Sequence, residues 1–497
     1  MHQIVNRKPK SANIGTGGFF VCLGDVLATI IAFIFAGWMV DKLSGLDFNS
    51  SLISDFSYIS PFERYYLYTG ISIACLGYFL IHGHYTHRIP WWNQVRHIAI
   101  AAGFSLIVEG FASSVLDIRT TTPLIALNWA LCFIAFIFFR LSVFRLRRNS
   151  KRWQLPTVII GDSSTTSDIL YAFNADTSTG YDVHTVFLRD LHDTDPHQID
   201  DLPSRYKNLK IEHDLENYED YIIHNPNNYY VVVLDTFPGI LRDRIVESLN
   251  KANALYSVVP TISRMSVYEM EPRYFFGYDV MLLQARTSLS HPVSQLGKRS
   301  IDFVCSAIGL IAFSPLILMI AISLKLEGNK DSIFYAGERV GQNGKLFKCW
   351  KFRTMSPNCD HLLHEYLNKN PEAKKHWEKY LKLPNDPRVT SRTRRILRKS
   401  SLDEVPQLWN VLTGTMSLVG PRPILPNEIE LYGATINDYT KVKPGITGLW
   451  QVSGRNSMSF QRRIYWDSWY VRNWSLWGDI VIILRTIPAV LMRDDGH

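Results

Sequence analysis

Asp403 and Glu404 stand side by side in the stretch Lys399-Ser400-Ser401-Leu402-Asp403-Glu404-Val405-Pro406-Gln407, with basic residues before them and a proline after. Neighbouring acids on a helix point about 100° apart and cannot share one proton face to face, so their roles should differ. One can attack an electrophile or hold a metal ion while the other orients it. A plain helix start accounts for the same residues: Ser400 or Ser401 as N-cap, followed by first-turn acids, is a stabilising arrangement worth about 1 kcal/mol.

The flanks favour chemistry. Arg388, Arg392, Arg394, Arg395, Arg398 and Lys399 precede the acids, and Gly420-Pro421-Arg422-Pro423 follows a short helix expected from Val405 to Leu412. Phosphoryl transfer needs this combination, because cations must offset the charge of a pyrophosphate while an acid binds Mg²⁺ or attacks phosphorus. A solvated charge run explains the arginines around Arg394 but not Arg422, held between two prolines. Upstream, Glu338 to Lys345 reads as a hairpin turn, and Phe347 to Met355, with Lys351 and Arg353, reads as a strand. Cys359 to Leu381 reads as an amphipathic helix.

These elements sit in a chain built for a membrane. Of its 497 residues 46% are hydrophobic and 13% aromatic, a balance that calls for a lipid-embedded part. Fifty-three basic against 45 acidic residues leave a charge of +8, which suits lipid headgroups or phosphorylated substrates; nucleic-acid binding would not require lipid embedding. The six cysteines form no CxxC pair, so neither a disulfide framework nor a zinc site is expected. Four apolar runs, Gly17 to Val40, Tyr65 to Ile81, Ile98 to Leu116 and Leu124 to Phe139, are close to the roughly 20 residues a spanning helix needs. The first is too long for a signal peptide and has no small-residue cleavage site. Arg7, Lys8 and Lys10 before the first run and Arg140 to Arg152 after the fourth place both ends in the cytoplasm. Asp25 and Glu109 fall inside spans; with no cation expected in a neighbouring span, they read as bundle-facing polar contacts. His82, His84 and His87 have ligand-like spacing, but an interfacial loop accounts for them.

From Pro156 to about Ser290 short apolar runs alternate with polar stretches. Strands are expected at Thr157 to Ile160, Tyr229 to Leu234 and Tyr256 to Val259, with helices at Thr166 to Phe173 and Leu241 to Ala252, as in a parallel Rossmann-like sheet. Of the fingerprint G-x-G-x-x-G only Gly161 is left after the first strand, so this domain should lack a phosphate loop and serve regulation or self-association. Arg189 to Glu219 reads as exposed loop. A fifth apolar run, Phe303 to Leu324, carries Ser314-Pro315 at its centre and bases at both ends, Lys298, Arg299 and Lys325. Proline breaks or kinks a helix, and a full crossing would move the arginines near Arg394 out of the cytoplasm, so the run should enter one leaflet and return. A kinked spanning helix satisfies hydropathy alone.

The segment from about Ser294 to Asp494 resembles the bacterial polyprenyl-phosphate hexose-1-phosphate transferases, the monotopic phosphoglycosyl transferases. The matching motifs are Lys298-Arg299 with Asp302, Ser314-Pro315, Arg339-Val340-Gly341, Lys351-Phe352-Arg353, Leu397-Arg398, Ser401 to Glu404, Pro406-Gln407, Asn410-Val411-Leu412, Met416 to Pro423 and Lys443 to Asn456. The C-terminal Asp467-Ser468-Trp469-Tyr470 and Asn473 to Trp477 look most like the galactose-specific branch. The resemblance implies three parts: residues 1–152 as a four-helix transmembrane bundle, 153–290 as the Rossmann-like domain, and 291–497 as re-entrant helix and mainly α catalytic domain.

It also implies a reaction. Galactose 1-phosphate would pass from a UDP-sugar to undecaprenyl phosphate, with Mg²⁺, releasing UMP and starting O-antigen, capsule or exopolysaccharide assembly. Asp403 would form the covalent phosphosugar intermediate and contact the metal, supported by Glu404. Lys351, Arg353, Arg398, Arg422, Arg455 and Asp467 would bind phosphate or substrate, and the break at Ser314-Pro315 would hold the site at the cytoplasmic face of the inner membrane. A homodimer among membrane lipids is expected. UDP-glucose or a UDP-N-acetylated sugar is the alternative donor, and an inactive scaffold or nucleotide sensor the alternative class. Two departures stand beside the site. The chain has one residue more than the family, and no glycine, between Arg388 and Asp403, and Gly337 replaces a more usual glutamine.

Overall fold

The computed structural model describes residues 16–44, 61–118, 122–148, 150, 153–189, 204–206, 209–212, 218–260, 271–274, 281–284, 292–326, 332–355, 359–374, 388, 391–453 and 460–491. The chain forms two compact units, Met1–Thr261 and Ile262–His497.

In the first unit the apolar runs become four helices: α1 (Thr16–Ser44), α2 (Pro61–Ile81), α3 (Trp91–Val115) and α4 (Thr122–Arg147). All four supply the bundle core, with Ala28 and Ala32 from α1, Tyr68, Cys75 and Phe79 from α2, Ile98 and Ala102 from α3, and Trp129, Cys132 and Phe136 from α4. Large apolar side chains face outward as well, among them Phe19, Ile34, Phe104, Ile107 and Phe111, which is the surface a helix turns to lipid. Among the described residues, four helices are long and apolar enough to cross a membrane: Gly17–Val40, Trp91–Val115, Thr122–Arg147 and Pro292–Leu326. α2 is not among them, because Glu63, Arg64 and three tyrosines, Tyr65, Tyr66 and Tyr68, dilute its 21 residues.

The intramembrane acids correct one expectation. Arg140 lies inside α4 rather than beyond it, and its Nε and a terminal nitrogen grip the two Asp25 oxygens at 3.0 and 2.6 Å. Tyr85 donates to the same carboxylate at 2.9 Å. The other terminal nitrogen of Arg140 donates to His84 Nδ1 at 2.6 Å and to Gln94 at 3.2 Å. His84 Nδ1 must then accept, which leaves Nε2–H to donate to His97 Nδ1 at 2.7 Å. His84 is thus a member of a buried network, and His82 donates from Nδ1 to the Tyr78 carbonyl of its own helix turn at 2.9 Å rather than converging with it on a metal. Glu109 accepts from Trp129 Nε1 at 2.5 Å and lies 3.8 Å from Arg64.

The same unit contains a parallel sheet of five strands, β1 (Leu155–Gly161), β2 (Tyr181–Leu188), β3 (Lys210–Glu212), β4 (Tyr229–Val232) and β5 (Leu255–Val258), in the order β3-β2-β1-β4-β5. That order is Rossmann-like, with the reversal between β1 and β4. β2 has no counterpart in the sequence expectation, and β3 falls inside the interval Arg189 to Glu219 that reads as loop. The sheet domain is tied to the bundle: Arg88 donates to the Thr179 carbonyl at 2.6 Å, and the Trp91 amide to Asp176 at 2.7 Å.

In the second unit a single helical segment, Pro292–Leu326, contains Pro315. Ahead of the acids lie an antiparallel hairpin, Phe334–Val340 with Leu346–Phe352, and the helices Cys359–Lys369 and Arg392–Lys399. After them come the helix Gln407–Thr413, a short parallel pairing of Ser417–Val419 with Gly445–Thr447, and the closing helices Phe460–Arg472 and Leu476–Leu491.

Candidate active site

Asp403 and Glu404 end a single 3₁₀ turn, Leu402–Glu404, entered through Ser401. Ser401 adopts φ +58°, a left-handed backbone that costs a residue with a Cβ about 1–2 kcal/mol. It makes no capping hydrogen bond, and the Ser400 hydroxyl turns back to the carbonyls of Ile396 and Leu397. The serine-capped helix start is therefore not what these residues build. The cap that does form is Ser391, which accepts from the Arg394 amide at 3.2 Å and starts the helix carrying Arg398.

The turn buries Asp403 to 9% exposure. Burial, and then the Glu404 charge, push its carboxyl up to about 6, while Lys351 and Arg398 pull the other way. Glu404 is partly exposed and meets Lys351 Nζ at 2.5 Å. Lys351 is aimed by its strand: Asn410, from the helix after the acids, accepts from the Trp350 amide at 3.0 Å and donates to the Lys348 carbonyl at 2.8 Å. A buried Asn410 thus splints strand to helix and fixes lysine against carboxylates. The helix is held in turn by Arg299, whose guanidinium takes the Val411 and Leu412 carbonyls, both at 2.7 Å, at the end where partial negative charge accumulates. Asp302 accepts from Ser417 and from the Leu418 amide, at 3.1 and 2.9 Å. Sequence motifs flagged Lys298, Arg299, Asp302 and Asn410; only the fold reveals them as positioning groups.

A second cluster forms around Asp467. It is fully buried, accepts from Tyr432 at 3.0 Å and from the Arg422 backbone N–H, and burial raises it to about 8 against the pull of Arg422 and Arg463. The Arg422 side chain is exposed. Its loop packs backbone against backbone with no room for a side chain, since a Cβ on Gly445 would lie 2.1 Å from the Gly420 nitrogen, and one on Gly420 2.5 Å from the Lys443 carbonyl. Asp403 therefore draws its charged neighbours from Glu404, Lys351 and Arg398, and Asp467 draws its own from Arg422 and Arg463. Arg353 turns to the Ser332 carbonyl at 3.0 Å and lies over Tyr335. Arg455 lies outside the described residues. Ser314 donates to Ile311, and Pro315 is accommodated within the helix.

Residues 293–493 match the family model described as bacterial sugar transferase. Over 433 residues the chain is 38% identical to an undecaprenyl-phosphate galactose phosphotransferase of Salmonella typhimurium, covering 86% of this chain and 87% of that one. The chain belongs to the bacterial sugar transferase family. A UDP-galactose-lipid carrier transferase of Erwinia amylovora is 35% identical to this sugar transferase over 429 residues, 86% of one chain and 87% of the other. A UDP-glucose:undecaprenyl-phosphate glucose-1-phosphate transferase of Escherichia coli is 28% identical over 481 residues, 92% of each. The match over both units makes the bundle and the sheet domain parts of a shared architecture.

Proposed function

We propose that this sugar transferase moves galactose 1-phosphate from UDP-galactose to undecaprenyl phosphate, giving galactosyl-diphospho-undecaprenol and UMP, as the opening step of O-antigen, capsule or exopolysaccharide assembly. Membership of the family makes it an undecaprenyl-phosphate sugar-1-phosphate transferase; the donor is carried over from the galactose enzymes, which are more similar to it than the glucose enzyme. The observation that carries the mechanism is a buried Asp403 beside Lys351 and Arg398. An Asp403 oxygen attacks the β-phosphorus of the UDP-sugar; the bond to the bridging oxygen breaks and UMP leaves with the electron pair. A phosphate oxygen of undecaprenyl phosphate then attacks the same phosphorus and frees Asp403. Lys351 offsets charge gathering on the phosphoryl oxygens and holds Glu404 in place.

The donor set suits magnesium. Asp403 and Glu404 are hard oxygen ligands, and Mg²⁺ is ordinarily held by one or two carboxylates with substrate phosphates and water completing its shell. Bound there, it would neutralise diphosphate charge.

The re-entrant reading is supported by both ends of Pro292–Leu326. Near its start Lys298 reaches Asp479 at 2.6 Å and Asp302 holds Ser417, while near its end Ile320 and Leu324 pack with Phe352 and Leu397. A helix crossing the bilayer could not have both ends on one cytoplasmic body. The active site and both termini then lie on the cytoplasmic side of the bacterial inner membrane. In the sheet domain, Asp162 caps the helix Ser163–Ala175, accepting from the Thr165 amide at 3.0 Å and from Ser164 and Thr165 hydroxyls, so a carboxylate occupies the position a phosphate would take. This favours a domain that joins two copies of the chain over one that binds a dinucleotide.

The deciding experiment incubates purified protein in a lipid nanodisc with undecaprenyl phosphate, Mg²⁺ and a panel of UDP-sugars, and measures UMP. UMP with UDP-galactose is expected. Release with UDP-glucose or a UDP-N-acetylated sugar alone changes the donor, and no release from any sugar removes the enzyme reading in favour of an inactive scaffold.

A further inference from the structure

Arg463 lies on the helix Phe460–Arg472, one turn before Asp467, and is only 7% exposed. Among the described residues its guanidinium Nε is buried without a hydrogen bond. The group lies over the Trp450 ring, 5.0 Å from its centroid. Tyr432, Asp467 and Glu428 attract it, but burial and then the like charge of Arg422 outweigh them and hold the Arg463 pKa down. Asp467 is committed to Tyr432 and the Arg422 amide, and burial holds its carboxyl up near 8. Glu428 is committed to the Leu425 amide at 2.7 Å. Trp450 Nε1, on the separate helical turn Leu449–Val452, is also buried with no hydrogen bond among the described residues.

Burying a guanidinium with no anion hydrogen-bonded to it is unfavourable, and two guanidiniums together more so, unless a ligand brings the charge. Arg463 presents a planar fork, stacked on an aromatic ring and beside an exposed Arg422; that is the geometry a doubly charged phosphate oxygen cluster accepts. We propose that Arg463, stacked on Trp450 and paired with Arg422, binds a phosphate group of one of the two substrates, the UDP-sugar or the polyprenyl phosphate. The inference rests on the transferase reading and adds a residue to it.

The test uses the full chain in nanodiscs, as wild type, Arg463→Gln, Arg463→Lys and Trp450→Leu. KM and kcat are measured for each substrate, together with the shift in unfolding temperature caused by UDP. Arg463→Gln should raise one KM about ten- to a hundredfold, the usual loss for a charge-assisted phosphate contact, with a much smaller change in kcat. Lys should recover part of the loss, and Trp450→Leu should raise the same KM less. A rise confined to the UDP-sugar, with the UDP-induced shift lost, assigns the donor phosphates; a rise confined to polyprenyl phosphate, with the shift retained, assigns the acceptor. Unchanged KM for both substrates and an intact UDP shift in Arg463→Gln and Trp450→Leu would overturn the proposal, whatever happens to stability. Should wild type release no UMP while UDP still stabilises it and fails to stabilise Arg463→Gln, the phosphate site stands and the transferase reading falls.

Discussion

Two of the buried charge clusters among the described residues are built on opposite principles. In the helical bundle the Asp25 carboxylate takes two bonds from Arg140 and one from Tyr85, and Arg140 spends its other donors on His84 and Gln94. In the transferase unit Asp403 is buried beside Glu404, a like charge, and Arg463 is buried beside Arg422, another like charge. A network whose members satisfy one another fixes a fold; one whose members repel waits for something to bind. Burial alone does not separate the two, and the partners do.

Removing the unsatisfied acid should therefore cost chemistry, and removing the satisfied one should cost stability. Asp403→Asn is expected to lower turnover by about a thousandfold or more, as loss of a covalent nucleophile does, while the unfolding temperature holds or rises because a buried, repelled carboxylate is gone. Asp25→Asn is expected to cost about 3–5 kcal/mol, the price of stranding a buried arginine, with turnover per folded molecule unchanged; replacing Asp25 and Arg140 together by leucine and methionine should restore most of it. Unfolding in detergent with a parallel UMP assay checks both. A stability loss in Asp403→Asn, or an activity loss in Asp25→Asn with folding intact, would erase the contrast.

Lys351→Met sharpens it. The pair with Glu404 is partly exposed, so stability should move by less than about 1 kcal/mol, yet a fixed cation at the reacting phosphate is worth about a hundredfold in kcat. The smallest effect is in pH. Asp403 must be anionic to attack and is raised to about 6, so kcat/KM for the UDP-sugar should climb between pH 5 and 7 with a midpoint near 6. Lys351 holds that value down, so Lys351→Met should move the midpoint upward; a flat profile would place the nucleophile elsewhere.

The sequence carried the site's chemistry further than its geometry. Asp403, Glu404 and Lys351 stand out in the sequence because phosphoryl chemistry would call on acids and fixed cations, and the structure gathers these three, whereas Arg422, marked by its prolines, falls in the Asp467 cluster. Three of the four expected spans, and three of the five strands of the parallel sheet, followed from apolar runs. The capped start at Ser400 or Ser401 was a fair reading of residue types, but Ser401 turns left-handed and hands the cap to Ser391. β2 and β3 escaped because the strand after the first helix alternates polar residues and the edge strand Lys210–Glu212 is charged. Asp25 and Arg140 are far apart in sequence, and Arg140 looked like a flanking charge until the helix ran past it. Arg463 sat in a basic dipeptide, Arg462-Arg463, whose helical face only the packed structure distinguishes.

The central claim, that Asp403 itself takes the phosphosugar, is tested most directly by mixing enzyme and Mg²⁺ with a UDP-sugar labelled at the β-phosphate, leaving out the lipid acceptor, quenching, and locating the label by peptide mass. The account predicts label on the peptide bearing Asp403 in wild type, chased off by undecaprenyl phosphate, and none in Asp403→Asn. Equal labelling of Asp403→Asn, or label on another peptide, would contradict it.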